Sequence, residues 1–220
     1  MKNKTKVFKI YMVAGSNGYA RWFPFPYEIV NDINKAEIIW WEGGADIATW
    51  LYGEKEGRHT YSIESSSKQE LAAWKFSKDK NIFKIGTCKG CQNLSVYHGA
   101  KMVQHMQHPG YHLIETKDGF QLSAISLHHQ QVILDEKYTG LKAGKDYDLV
   151  GWTRKLSRFH LNGEDRDYGF SDDYKEPEII TFKNTWGVQS HPEMMASNSS
   201  FVAYCQKSLA DKMKQDGFIS

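Results

Sequence analysis

Apolar residues fall in short runs along the chain, and the spacing within each run predicts a different element. "KVFKIYMVAG" (6–15) alternates and stops at a glycine turn, as a first strand does. "KAEIIWWEGGADI" (35–47) is apolar enough to be a strand buried on both faces, and it breaks at paired glycines. "SKQELAAWKFSKDK" (67–80) changes period: Leu71, Trp74 and Lys75 stand at i, i+3 and i+4, behind serines able to cap a helix. "NIFKIGTC" (81–88) returns to a strand, and "KGCQNLSVYHGAKMVQH" (89–105) turns at once into a helix. Strand, helix, strand, turn and helix predict a parallel sheet with helices on its faces.

The second half differs. "YHLIETKDGFQLSAISLHHQQVIL" (111–134) holds shorter strands joined at "KDG", an antiparallel excursion. "KDYDLVGWTR" (145–154) and "EPEIITFKNTWGVQS" (176–190) are further strands, and "SFVAYCQKSLADKMKQ" (200–215) is a closing helix. Between them, "FHLNGEDRDYGFSDDYKE" (159–176) is polar and acidic. Its acids do not alternate ahead of the glycine as a calcium loop requires, so a solvated surface loop is expected.

At 220 residues one domain spanning 1–220 is the default. The net charge of +2 gives no pull toward nucleic acid or anionic membrane. No apolar run approaches a bilayer span, the N-terminus lacks a signal-peptide core, and the three cysteines are odd in number and not spread as a disulfide framework would be. A reducing, cytoplasmic setting is expected.

The chemistry concentrates at "KIGTCKGCQNL" (84–94). Cys88 and Cys91 form a C-x-x-C where a strand meets a helix, which suits a redox pair, although flanking Gly86 and Gly90 are not what a dithiol needs. A zinc site would need His105, His108 or His112 as further ligands, and Pro109 and Gly110 keep these off one helical face. The third reading keeps the glycines: Gly86-Thr87-Cys88-Lys89-Gly90 is the cysteine version of the G-x-S-x-G nucleophile elbow. Small flanking residues let strand and helix approach closely, and the Lys89 N–H then points to where an oxyanion would form. Cys91 becomes a packed helix residue.

A cysteine nucleophile needs a base and an orienting group. In "WGVQSHPEMM" (186–195), His191 and Glu193 flank Pro192. If the proline keeps this stretch extended, i and i+2 share a side and the carboxylate reaches the imidazole. Gly43 and Gly44, past a buried strand, offer a second oxyanion turn.

Four segments in order, "EGGADIATWLYGE" (42–54), "GTCKGCQNLSVYHGAKMVQH" (86–105), "SLHHQQ" (126–131) and "GVQSHPE" (187–193), carry a family pattern. In them the chain resembles the class I glutamine amidotransferase superfamily, and within it the gamma-glutamyl-gamma-aminobutyrate hydrolase-like branch. The resemblance implies a flavodoxin-like three-layer α/β sandwich with a mostly parallel central sheet. It implies Cys88 as nucleophile, His191 and Glu193 as the rest of a triad, and the Gly44 and Lys89 N–H groups as oxyanion hole. It places Gly43, Gln92, Ser126, His128 and His129 around the substrate, whereas from the residues alone Gln92 suits a helix surface equally well. Departures from the pattern are Ala45 for a frequent proline, Ile125 for a frequent asparagine and Ser190 for a frequent tryptophan.

The expected activity is hydrolysis of a gamma-glutamyl amide through a thioester, with no metal or organic cofactor. An amidotransferase subunit serving a separate synthetase in trans is the alternative. A non-catalytic binding protein on the same scaffold ranks last, because the triad residues are all present.

Overall fold

A computed structural model of the chain describes residues 6–107, 110–154 and 156–220. In chain order its strands are β1 (Phe8–Met12), β2 (Tyr27–Ile29), β3 (Ile38–Trp41), β4 (Phe83–Thr87), β5 (Lys101–Val103), β6 (His105–Met106), β7 (Tyr111–Thr116), β8 (Gln121–Ile125), β9 (Gln131–Ile133), β10 (Asp148–Arg154), β11 (His160–Leu161), β12 (Lys175–Phe182) and β13 (Thr185–Val188). The helices are α1 (Glu64–Ser77), α2 (Lys89–Tyr97), α3 (Glu136–Thr139) and α4 (Ser200–Gln215), with short 3₁₀ turns at Asn17–Trp22 and Pro192–Met194.

Nine strands form one sheet in the order β2-β1-β3-β4-β13-β12-β10-β7-β8. The half that carries the expected site, β2-β1-β3-β4-β13, is parallel throughout. The excursion extends it antiparallel through β12, β10, β7 and β8, and "KDG" is the β7–β8 turn as its composition predicts. This is the expected α/β architecture with a large, mostly parallel central sheet. The "IIWW" strand explains the layering: Ile38 and Trp40 join the core beneath α4, while Ile39 and Trp41 face α1 and α2. Among the described residues no helix is long and apolar enough to cross a membrane. All three cysteines are unpaired and buried.

One expectation about α1 needs correction. Its N-cap is Ile63, with no side-chain cap, and the serines lie inside the first turns. The helix itself forms as its spacing predicts, with Ser67, Glu70, Ala73 and Ser77 buried and Leu71 and Trp74 half-buried. Glu70 Oε1 lies 2.9 Å from Lys89 Nζ, with both side chains at most 9% exposed, and Ser66 Oγ adds a contact of 3.1 Å to the ammonium. Beside this ion pair, Ala73, Trp74 and Phe76 pack the helix into the cluster of Ile39, Trp41 and Leu94.

The acidic 159–176 segment exposes Glu164, Asp165, Asp167, Asp172 and Asp173, as a solvated surface loop does, and is anchored from within. Phe170 is buried against Tyr138, Tyr168 and Tyr174, and Asn162 and Asp167 accept backbone N–H groups of their own turns.

Trp41 of β3, Gly86 of β4 and Gly187 of β13 stand side by side in register, and the first turn of α2 presses on this row. A Cβ on Gly86 would lie 2.5 Å from the Gly90 carbonyl oxygen, and one on Gly187 would lie 2.8 Å from Cys91 Sγ. A Cβ on Gly90 would collide with the Trp41 carbonyl.

This packing sets the cost of two substitutions. Gly90→Ala should lower the stability measured by urea unfolding by about 1–3 kcal/mol or more, whereas Gly18→Ala, with open space around it, should stay within about 0.5 kcal/mol. Glu70→Ala leaves the Lys89 ammonium buried and unpaired, and chemical denaturation should show a loss of about 3–5 kcal/mol.

Candidate active site

All the parallel strands end at one edge of the sheet, and the chemistry-bearing residues leave from those ends. Cys88 is the N-cap of α2, with φ 52° and ψ −114°, a positive-φ conformation costing a non-glycine residue about 1–3 kcal/mol. Its N–H donates to the Val188 carbonyl at 2.8 Å, which pins the turn to the end of β13. This is the backbone of an elbow, strand into helix with the side chain at the apex. Cys91, one turn on, is fully buried against Gly187, and burial pushes its thiol well above the usual range.

His191 and Glu193 meet, though not as an extended chain. Pro192–Met194 is a 3₁₀ turn with His191 as its N-cap, because the proline ring's φ suits the first position of a helical turn. The pair still closes: His191 Nδ1 lies 2.6 Å from Glu193 Oε1, and both are buried. Burial alone would depress the His191 pKa, but hydrogen bonding and charge from Cys88 and Glu193 outweigh it and push it up to about 10. Nε2 is buried with no partner at full hydrogen-bond geometry. Cys88 is near enough to contribute to the raised ring pKa without meeting that geometry. The His191 N–H donates to the Ile125 carbonyl at 3.1 Å, so position 125 serves through its backbone.

On the other side of Cys88 is a cavity of about 120 Å³ whose lining includes Gly44, Lys89, Gln92, His128 and His129. Gln92 is buried, not on a helix surface; its Nε2 donates to the Gln130 carbonyl at 2.9 Å and to Gln189 Oε1 at 3.1 Å. His128 is buried with Nδ1 at 2.8 Å from the Gln130 carbonyl. His129 is held between Asp46 (3.0 Å) and His105 (3.2 Å). The Lys89 stem passes 3.4 Å from where a Cβ on Gly44 would stand.

Two of the expected substrate contacts do not line this cavity. Ser126 is buried, with Oγ 3.2 Å from Ser190 Oγ, and Ser190 in turn donates to Glu178 at 2.7 Å. Gly43 lies on the opposite side, where a Cβ would meet Tyr19 Oη at 2.5 Å and His191 Cε1 at 3.4 Å. The histidines of the zinc reading do not converge: His105 faces His129, and His112 lies 2.9 Å from Glu178. His108 and Pro109 are outside the described residues. Among the described residues no group of three or more His, Cys, Asp or Glu could hold a metal.

Four residues of this region escape a reading of the sequence alone. Glu42 is buried and accepts the Ala14 and Ser16 N–H groups, each at 2.9 Å; burial raises its carboxyl pKa against those bonds. An acid inside "IIWWEGG" was its only signal. Glu70 and Glu178 are buried partners of Lys89 and of Ser190, and Tyr19 stands beside His191. No local pattern marks any of these three.

No family model matches the chain. A glutamine amidotransferase-like protein, the YvdE homolog of Lactococcus lactis subsp. cremoris, is 30% identical over 115 residues, 42% of this chain and 61% of the relative. The corresponding YvdE of Lactococcus lactis subsp. lactis is 32% identical over 79 residues, 36% of this chain and 34% of the relative. The chain thus spans less than two thirds of either relative. Among solved structures, a Thermoplasma acidophilum protein, provisionally described as one of the subunits of GMP synthase, superposes with a TM-score of 0.55 at 16% identity, over 96% of this chain and 100% of that one. A Thermotoga maritima glutamine amidotransferase gives 0.53 at 12%, over 96% and 86%. The glutaminase domain of Trypanosoma brucei CTPS, with bound acivicin, gives 0.56 at 11%, over 94% of both. At these identities the structural likeness is one of fold.

Proposed function

We propose that the chain hydrolyses the side-chain amide of glutamine or of a gamma-glutamyl amine, using Cys88, His191 and Glu193. The observation that carries this reading is the strained Cys88 turn facing a His–Glu pair closed at 2.6 Å, across the ends of two adjacent parallel strands. Names of relatives and structural neighbours support the amide-hydrolase or amidotransferase class; the triad and the thioester are our reading of the geometry.

In this scheme the Cys88 thiolate, stabilised by the start of α2 and by the His191 imidazolium, attacks the amide carbon. The S–C bond forms as the carbonyl electrons move onto oxygen, which the Gly44 and Lys89 N–H groups receive. As the tetrahedral centre collapses, the C–N bond breaks and the nitrogen takes the His191 Nε2 proton. Neutral His191 then removes a proton from water, the water oxygen attacks the thioester, and glutamate leaves with the thiolate restored. Glu193 orients the ring and stabilises each imidazolium. Gln92, His128 and His129 would contact the gamma-glutamyl head in the cavity beside Cys88.

A second reading keeps the chemistry and changes the fate of the ammonia. Its support is that two structural neighbours are the glutaminase domain of CTPS and a protein described as belonging to GMP synthase. On that reading ammonia passes to a synthetase in trans. Such a protein would be inactive on the whole substrate panel until its partner is added.

Two measurements test the scheme. With glutamine and a panel of gamma-glutamyl amines, Cys88→Ala should abolish glutamate release and Cys91→Ala should largely spare it; equal loss in both would restore the dithiol reading. For pH, acylation needs the imidazolium, so the alkaline limb of kcat/KM should follow the His191 pKa of about 10. Glu193→Gln removes one of the charges holding that proton, and the alkaline limb should move down by at least ~1 pH unit. An unmoved limb would exclude His191 as the titrating acid.

A further inference from the structure

Tyr19 belongs to a 3₁₀ turn that the sequence does not mark as functional, yet its hydroxyl enters the site from the side opposite the cavity. A single point, the Cβ position of Gly43, lies 2.5 Å from Tyr19 Oη and 3.4 Å from His191 Cε1. The phenol and imidazole rings are 6.4 Å apart. We propose that the Tyr19 hydroxyl is a third donor to the oxyanion, acting beside the Gly44 and Lys89 N–H groups; this rests on the hydrolase reading above.

The hydrogen-bond roles favour a donor. The Gly43 backbone lies against the phenol oxygen, and a hydroxyl keeps one hydrogen that can turn toward the site. Burial, and then the charges of Glu193 and Cys88, push the phenol up to about 12. It therefore stays protonated wherever the enzyme works, and serves as a hydrogen-bond donor rather than a base. A neutral donor stabilises developing negative charge without competing as a cation for the thiolate or for Glu193.

The group is also held in place. Glu42 ties the Ala14 and Ser16 N–H groups to the end of β3 just before this turn. Trp22, three residues on, packs edge-on to Trp40 at 5.4 Å and against Trp186 at 5.6 Å. Donors fixed before the reaction are the ones that stabilise a transition state without reorganisation. The paired glycine gains a reason as well, since any side chain at Gly43 would displace the hydroxyl. No proton leaves Tyr19 during the cycle. It bonds to the oxygen while the S–C bond exists in tetrahedral form and releases it when the carbonyl re-forms.

Tyr19→Phe is the test, because it keeps the ring and removes only the hydroxyl. On whichever panel amide wild type hydrolyses best, kcat/KM should fall by ~10–100-fold, mostly in kcat, with the melting temperature unchanged. Alkylation of Cys88 by iodoacetamide develops no oxyanion, so its rate and pH dependence should stay within about two-fold of wild type. Unchanged hydrolysis, or alkylation falling in step with hydrolysis, would overturn the proposal; the latter would mean that Tyr19 acts through Cys88 or His191. Failure of the hydrolase reading looks different: wild type itself then releases no glutamate, and the Tyr19 proposal falls with it.

Discussion

The site depends on one close approach, the first turn of α2 lying directly on the sheet. The row Trp41, Gly86 and Gly187 gives the helix a seat without side chains at its two glycines, and Gly90 lets the helix backbone touch the Trp41 carbonyl. With the helix this low, the chain has no room to leave β4 through an ordinary turn, and Cys88 takes a positive φ. Strain of about 1–3 kcal/mol at one residue is small beside the packing of an entire helix against three strands. The same seat explains the second cysteine. A side chain at 91 must sit over Gly187, and a thiol is small and apolar enough to be buried there.

Around this seat the protein buries charge, and each buried charge has a structural partner. Lys89 meets Glu70, Glu193 meets His191, Ser190 and His112 meet Glu178, and Glu42 holds two backbone N–H groups. Replacing such pairs by apolar residues is often neutral or stabilising, so their presence is weak evidence for stability alone. Their placement says more. Lys89 and Ser190 each sit next to a residue of the proposed triad, and Glu42 immediately precedes the glycine turn. A paired charge constrains direction as well as distance, which an apolar contact does not.

What could be read from the sequence was what local spacing encodes. The alternation of β1, the doubly buried run of β3 and the turn at "KDG" follow from periods and turn chemistry, and the elbow follows from glycine spacing around Cys88. The extended form expected for His191-Pro192-Glu193 was wrong because proline fits the first position of a 3₁₀ turn as well as an extended strand, and only the surrounding packing chooses. The buried Glu70 of α1 could not be read locally because its partner is Lys89, 19 positions away in the chain. Tyr19 illustrates the same limit. Its role is set by Gly43 and His191, and nothing in "NGYARW" refers to either.

Cys88 stands between two regions of different origin. On one side, the end of β13 and the turn after β1 bring His191, Glu193 and Tyr19; on the other, α2 and the segment after β8 bring Gln92, His128 and His129. The two departures from the family pattern nearest the triad do not disturb the first group. Ile125 acts through its carbonyl, which any residue supplies, and Ser190 turns its hydroxyl to Glu178 instead of the cavity. The wall formed by residues 127–130 carries no such obligation to the His–Glu pair. Sequence change there can reshape what the cavity accepts while the geometry that would break an amide bond stays fixed by the seat of α2. The seat of the helix and the wall of the cavity are thus separable in this fold.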